Sequence, residues 1–289
     1  MAEIKPTATA AATKSKTSAQ PKKSNAISWL APLVNIIIGY LIWRVLIGNP
    51  SNFKTPDPDS SHWFWPDHKG PIGTFTKMYL GGIIVPILIA AFLTVVTFVI
   101  ERLLTVTKAT GTGSISDFIR KVQFHLANKD VDKAIAESDK QKGSVGNVMK
   151  AGLLKYKELI GNTELDTEQK VLSIQKEVEE ATALELPVLE KNLVFLSTIA
   201  SVATLLGLLG TVLGMIRSFS GLADSGGADA AQTLSQGISE ALYNTALGIG
   251  TSAIAIITYN ILTTKIDGIT FGIDESGFTL TQSFAANYK

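Results

Sequence analysis

The 289-residue chain is 46% hydrophobic and only 18% charged, with a mean hydropathy of +0.25. A soluble domain carries charge nearer about 25%, so the composition places the chain among membrane proteins. A net charge of +1 gives no reason to expect nucleic acid, and the absence of Cys excludes disulfides, thiolate-held metals and thiol catalysis.

Residues 1–26 are dominated by Ala, Thr, Ser, Lys and Pro, a composition that buries too little apolar surface to offset ordering entropy, so a disordered tail is expected. The first apolar run, 27–47, is long enough to cross a bilayer. A basic stretch precedes it, as in a signal peptide, but its apolar run exceeds a typical signal core and no clear small-x-small cleavage site follows. It is expected to be retained as an anchor.

Segment 48–78 contains His62-Trp63-Phe64-Trp65-Pro66-Asp67-His68. Aromatic residues gather at membrane interfaces, so this stretch is expected at headgroup level or against a partner. The spacing of its His residues matches no standard metal motif, and no metal is expected.

A second span is expected over 79–100. Segment 101–192 reads as helices: Ser114 and Asp117 offer capping oxygens, and Phe118, Val122 and Leu126 follow at four-residue spacing. Thr163 to Lys191 is rich in Glu, Lys and Leu and runs without Gly into a third span over 193–217. This predicts one helix longer than the membrane is thick, kinked or loosened at Pro187.

The third span places Ser197, Ser201, Thr204 and Thr211 near one face. Gly207, Gly210, Gly214 and, in the fourth span, Gly248 offer small surfaces for close helix approach; Gly210-x-x-x-Gly214 matches a known packing motif. For Ser197 or Ser201 alone, packing with the hydroxyl bonded back to its own helix is the favoured reading over a functional one. A loop over 218–238 leads to the fourth span, 239–262, and a C-terminal segment follows over 263–289.

In the fourth span Glu240, Asn244, Thr251 and Thr258 form a polar stripe, with Thr245 and Ser252 beside it. An ionisable group in a span costs at least about 2.5 kcal/mol on insertion scales, which points Glu240 towards protein, water or the interface. The third and fourth spans run antiparallel, and Thr211 and Thr245 lie at similar depth. Hydroxyls there suit a proton or sodium route because they hydrogen-bond without carrying charge.

Lys and Arg are abundant in the tail and in 101–192 and absent from 218–239. The positive-inside rule then makes both termini cytoplasmic, with 48–78 and 218–238 periplasmic. The fold expected is an all-α membrane protein with four transmembrane helices and long helices extending into a cytoplasmic helical domain. No arrangement of nucleophile and base is apparent, so neither an enzyme nor a cofactor is expected. No internal repeat of the kind found in secondary transporters is visible.

Leu205 to Ser218, LLGLLGTVLGMIRS, and Gly237-Ile238-Ser239-Glu240-Ala241-Leu242-x-x-Thr245-Ala246-x-Gly248 resemble the two signatures of the ExbB, TolQ and MotA family of ion-driven motor subunits, and Glu101-Arg102-Leu103 also fits. The resemblance covers about residues 80–265 and looks most like the ExbB branch, including Thr264-Lys265-Ile266-Asp267. It implies a three-helix core, to which span 27–47 adds an extra N-terminal anchor, in a homo-oligomer, a pentamer, of the bacterial inner membrane. It implies an ExbD-like single-span partner supplying an ionisable Asp, and a TonB-like protein. It places Thr211, Thr245 and Glu240 along the ion pathway, with Ser201, Thr204, Asn244 and Ser252 as additional candidates. A TolQ-like role, or a scaffold that conducts nothing, is the alternative. Two features depart from the family pattern: the extra span 27–47, and Thr204 where a Pro commonly stands.

Overall fold

The computed structural model describes residues 26–58, 64–66, 68–224 and 228–288. The tail 1–26, apart from Ala26, lies outside the described residues, as do His62, Trp63 and Asp67 of the aromatic stretch and residues 225–227 of the last loop. Among the described residues four helices are long and apolar enough to cross a membrane, and the strands form a single hairpin. The chain is an all-α membrane protein.

Helix α1 (Ala26–Leu41) passes into a π-helical turn, Ile42–Ile47, and packs along α3 (Ile84–Thr110). Their backbones touch at Gly39, where a Cβ would come within 2.8 Å of the Pro86 carbonyl oxygen. Asn35, buried among apolar residues, donates to the hydroxyls of Thr94 and Thr97 at 3.2 Å each. Small residues at the contact and one satisfied polar group are how helices associate where burial from lipid offers little gain.

Strands β1 (Phe53–Thr55) and β2 (Lys69–Pro71) pair antiparallel, Phe53 opposite Pro71 and Thr55 opposite Lys69. They cap an aromatic cluster in which the fully buried Trp43 stacks on Tyr79 and meets Trp65, each at 4.4 Å between ring centroids. The Tyr79 hydroxyl donates to the Pro66 carbonyl at 2.8 Å, and Tyr40 donates to that of Phe64 at 2.7 Å. Within the stretch expected at headgroup level, Trp65 is therefore joined to the chain's own core, while the Phe64 ring stays exposed.

The short α2 (Thr74–Lys77) and a 3₁₀ turn, Met78–Gly81, lead to Gly82, whose φ of +69° turns the chain into α3. That conformation favours glycine because a side chain would crowd the backbone. At the far end of α3 the chain enters a domain of four helices: α4 (Ile115–Ala127), α5 (Val131–Gln141), α6 (Gly143–Ile160) and α7 (Thr167–Glu190). Phe118, Val122 and Leu126 are buried as a stripe on α4, and Asp166 opens α7 with a capping box shared with Gln169, a cap of about 1 kcal/mol.

Two long helices complete the chain, α8 (Leu193–Asp224) and α9 (Ala228–Asn287). At 60 residues α9 is roughly 90 Å long, about three times the hydrocarbon thickness. Its last turns bury Ile273, Leu280 and Phe284 against Met149, Leu153, Tyr156 and Ile174, so one helix serves both membrane bundle and domain.

The expected continuous helix through Pro187 takes a different form. Pro187 sits inside α7, and the break comes at Lys191 and Asn192, with Asn192 at φ +65°. Asn tolerates the left-handed region, and its side chain is employed here, donating to Glu101 at 3.1 Å.

Candidate functional site

Helices α8 and α9 are held together by a seam of small residues. A Cβ on Gly207 would lie 3.2 Å from the Gly248 Cα, one on Gly210 would lie 2.5 Å from the Asn244 Cβ, and one on Gly214 would lie 2.7 Å from the Ala241 Cβ. All four glycines named above therefore sit where the two backbones come closest. At this spacing polar groups of one helix reach carbonyls of the other.

Thr245 does so. Its hydroxyl donates to the Gly207 carbonyl at 3.1 Å, and the side chain is half-buried. Thr211, one turn along α8 from Gly207 and so about 6 Å further along the axis, is also half-buried and donates to the Leu208 carbonyl at 2.6 Å. A hydroxyl has one proton and two lone pairs. With the proton committed to the backbone, each oxygen is left as an acceptor on its half-exposed side.

The other named residues divide by position. Ser201 is exposed and Thr204 half-buried on α8, whereas Asn244 and Ser252 are buried inside the bundle. Asn244 ties α9 to the head of α3, its Nδ2 donating to the Gly81 carbonyl at 3.2 Å. The stripe of Glu240, Asn244 and Thr251 thus turns inward along much of its length, with Thr251 1% exposed.

Glu240 is half-buried at the hairpin end of the bundle, next to a cavity of about 10 Å³ that it lines with Arg217, Asn244 and the first residues of α3. The Gln236 side chain hydrogen-bonds its carboxylate. Arg217 lies across Gly82, where a Cβ would come within 2.6 Å of Nη1. Sequence reasoning passed over Arg217 and the Gly81-Gly82 pair. The signal was present: a cation one residue before a segment without Lys or Arg, and two adjacent glycines heading an apolar run. Among the described residues no cluster of three or more metal-ligating side chains occurs.

A second polar centre lies where the bundle meets the helical domain. Arg102, 2% exposed, donates to the carbonyls of Val188 at 3.0 Å and Leu189 at 3.3 Å and pairs with the Glu101 carboxylate, which also accepts from Asn192. The last carbonyls of a helix have no intrahelical donor. Arg102 supplies that donor to α7 beside the break, and its charge also complements the negative end of the helix dipole.

The model of the MotA/TolQ/ExbB proton channel family matches residues 140–275, which take in most of the domain and all of the α8–α9 seam. The Tol-Pal system protein TolQ of Pseudomonas aeruginosa is 30% identical over 174 residues, covering 55% of this chain and 75% of that protein. The biopolymer transport protein ExbB of Helicobacter pylori is 45% identical over 92 residues, 32% of this chain and 62% of its own. The TolQ of Haemophilus influenzae is 40% identical over 86 residues, 29% of this chain and 37% of its own. The last two matches span less than two thirds of those relatives. With a family model over the seam and a relative matched across three quarters of its length, the chain belongs to the MotA/TolQ/ExbB proton channel family.

Proposed function

We propose that this chain is the ExbB-like subunit of a motor driven by the proton-motive force in the bacterial inner membrane. Both termini and the domain 101–192 are cytoplasmic in this reading, and 48–78 and 218–238 are periplasmic. Copies of the chain, five in number, surround an ExbD-like partner whose single span carries an Asp, and a TonB-like protein passes the work to outer-membrane transport. Thr211 and Thr245 line the ion path, and Glu240 forms part of its outer wall; Ser201, Thr204, Asn244 and Ser252 contribute further polar surface, and the glycines of the seam set the spacing. The chain itself catalyses no covalent chemistry.

The observation that carries the reading is the Thr245 hydroxyl. Its donation to Gly207 leaves an acceptor on the half-exposed side of two membrane helices, which suits a group that arrives bearing a proton, either a protonated carboxyl or a hydrated proton. Thr245→Val is nearly isosteric and removes that acceptor, while Thr245→Ser keeps it. The expected result is at least about a tenfold loss of proton flux in Thr245→Val with the assembled complex intact, and near-native flux in Thr245→Ser, the size of effect that one lost polar contact of about 1.4 kcal/mol gives. Unchanged flux in Thr245→Val would reduce the α8–α9 seam to a scaffold.

The broad match to a TolQ favours a second reading, a TolQ-like role in a Tol-Pal system. Affinity purification separates the two by which single-span protein accompanies the chain.

A further inference from the structure

Asn244 is 2% exposed, and its carboxamide is half satisfied. Nδ2 donates to the Gly81 carbonyl, whereas Oδ1 is a buried acceptor without a hydrogen-bond partner. The orientation follows from chemistry, because the flipped amide would set two carbonyl oxygens against each other. A buried acceptor left in this condition costs about 1–3 kcal/mol, so the position favours a ligand that donates a hydrogen bond.

The cavity of about 10 Å³ beside Asn244 has the volume of about one water molecule. Leu and Ile side chains form its apolar walls, and three polar side chains reach it: Asn244, Glu240 and Arg217. The two acceptors and the donor match water. One O–H meets Asn244 Oδ1, the other meets the Glu240 carboxylate, and a lone pair accepts from the Arg217 guanidinium. A metal ion is a poorer match, since the guanidinium repels it and the volume admits no hydration shell.

We propose that this cavity, where the start of α3 meets α9 at Glu240 and Asn244 and the last turns of α8, is a binding site for a single ordered water held by Asn244, Glu240 and Arg217. The site depends on helix packing alone and stands whether or not the chain conducts ions. It carries the hydrogen-bonding surface of Glu240 one helical turn, about 6 Å, deeper along α9.

Cryo-electron microscopy of the full chain in its purified assembly, in lipid nanodiscs and at a resolution that shows ordered water, tests this. The expected map has a peak about 2.6–3.2 Å from Asn244 Oδ1 and within hydrogen-bond reach of Glu240 and Arg217, and the peak is lost in Asn244→Leu. Arg217 is exposed, so Arg217→Met keeps the fold even where Asn244→Leu fails to assemble; it is expected to weaken the peak with Asn244 in place. An empty cavity, a protein group occupying it, or a peak ringed by oxygens at metal-ion distances of about 2.0–2.6 Å overturns the proposal. So does a peak unchanged in Arg217→Met.

Discussion

Arg102→Met removes the charge from the junction between bundle and domain while filling much of the same volume. Two α7 carbonyls and the Glu101 carboxylate lose a donor. Hydrogen bonds to a charged group contribute about 1.5–3 kcal/mol each, which for the two carbonyls gives roughly 3–6 kcal/mol. The Glu101 share is smaller, because its side chain is 31% exposed and it keeps the bond from Asn192. Breaking a buried pair by removing one partner costs about 3–5 kcal/mol in other proteins, so we take about 3 kcal/mol as the local effect. Hydrogen exchange of the protein in lipid nanodiscs reads it directly: amides of 188–196 should exchange roughly 150-fold faster, at about 1.4 kcal/mol per decade. Amides of 203–210, further into the bundle, should keep their protection. Arg102→Lys should fall between, since an ammonium lacks the planar fork that reaches several acceptors at once. Exchange at 188–196 within about threefold of the native rate, less than about 0.7 kcal/mol, would refute the idea that Arg102 holds the end of α7.

The α8–α9 seam predicts opposite outcomes at two nearby glycines. In Gly248→Val the new Cβ would lie 2.5 Å from the Ala203 carbonyl oxygen; ordinary contact needs about 3.5 Å, so the helices must separate by about 1 Å, and loss of the assembled complex on size exclusion is expected. Gly250→Ala meets nothing within 4 Å and should assemble normally, with a gain of about 0.5–1 kcal/mol from helix propensity. In the domain, burial raises the Tyr156 phenol above its ordinary value, partly offset by hydrogen bonds with Asn287 and Ser283. A folded pKa above the unfolded one means that the proton stabilises the fold: this contribution is complete below the unfolded pKa and is lost as the pH rises through the folded one. Ultraviolet titration should show a late-ionising tyrosine step that belongs to Tyr156. That late step should vanish in Tyr156→Phe.

The four spans were legible because an apolar run of the right length has few other uses, and the stripe of Phe118, Val122 and Leu126 was legible from its period. What the period does not reveal is the neighbour that a face meets. Glu240, Asn244 and Thr251 share a stripe, yet Asn244 and Thr251 point at the chain's own helices, because Gly81, 163 positions earlier, brings its carbonyl to Asn244. The break after α7 was hidden for the same reason. Pro187 is the local signal, but the carbonyls that need a donor receive it from Arg102, 86 and 87 residues away. Likewise Trp65 reads as an interfacial aromatic until Trp43 and Tyr79 arrive beside it.

These long-range partners give two of the three membrane-to-domain connections, α9 and the step from α7 to α8, different mechanical character. Helix α9 contains no Pro, keeps its hydrogen-bond ladder through 60 residues, and is buried at intervals from Ala241 to Phe284. A helix of that kind bends gently and resists local twist, since a break forfeits backbone bonds that nothing else replaces. The passage from α7 to α8 is already broken at Asn192, and its unpaired carbonyls are satisfied from outside by Arg102. A change of angle there disturbs a few side-chain bonds and leaves both flanking helices intact. The α9 ladder therefore runs unbroken from the level of Glu240 and Thr245 into the domain, whereas the step from α7 to α8 is a break held together by the side chains of Arg102, Glu101 and Asn192.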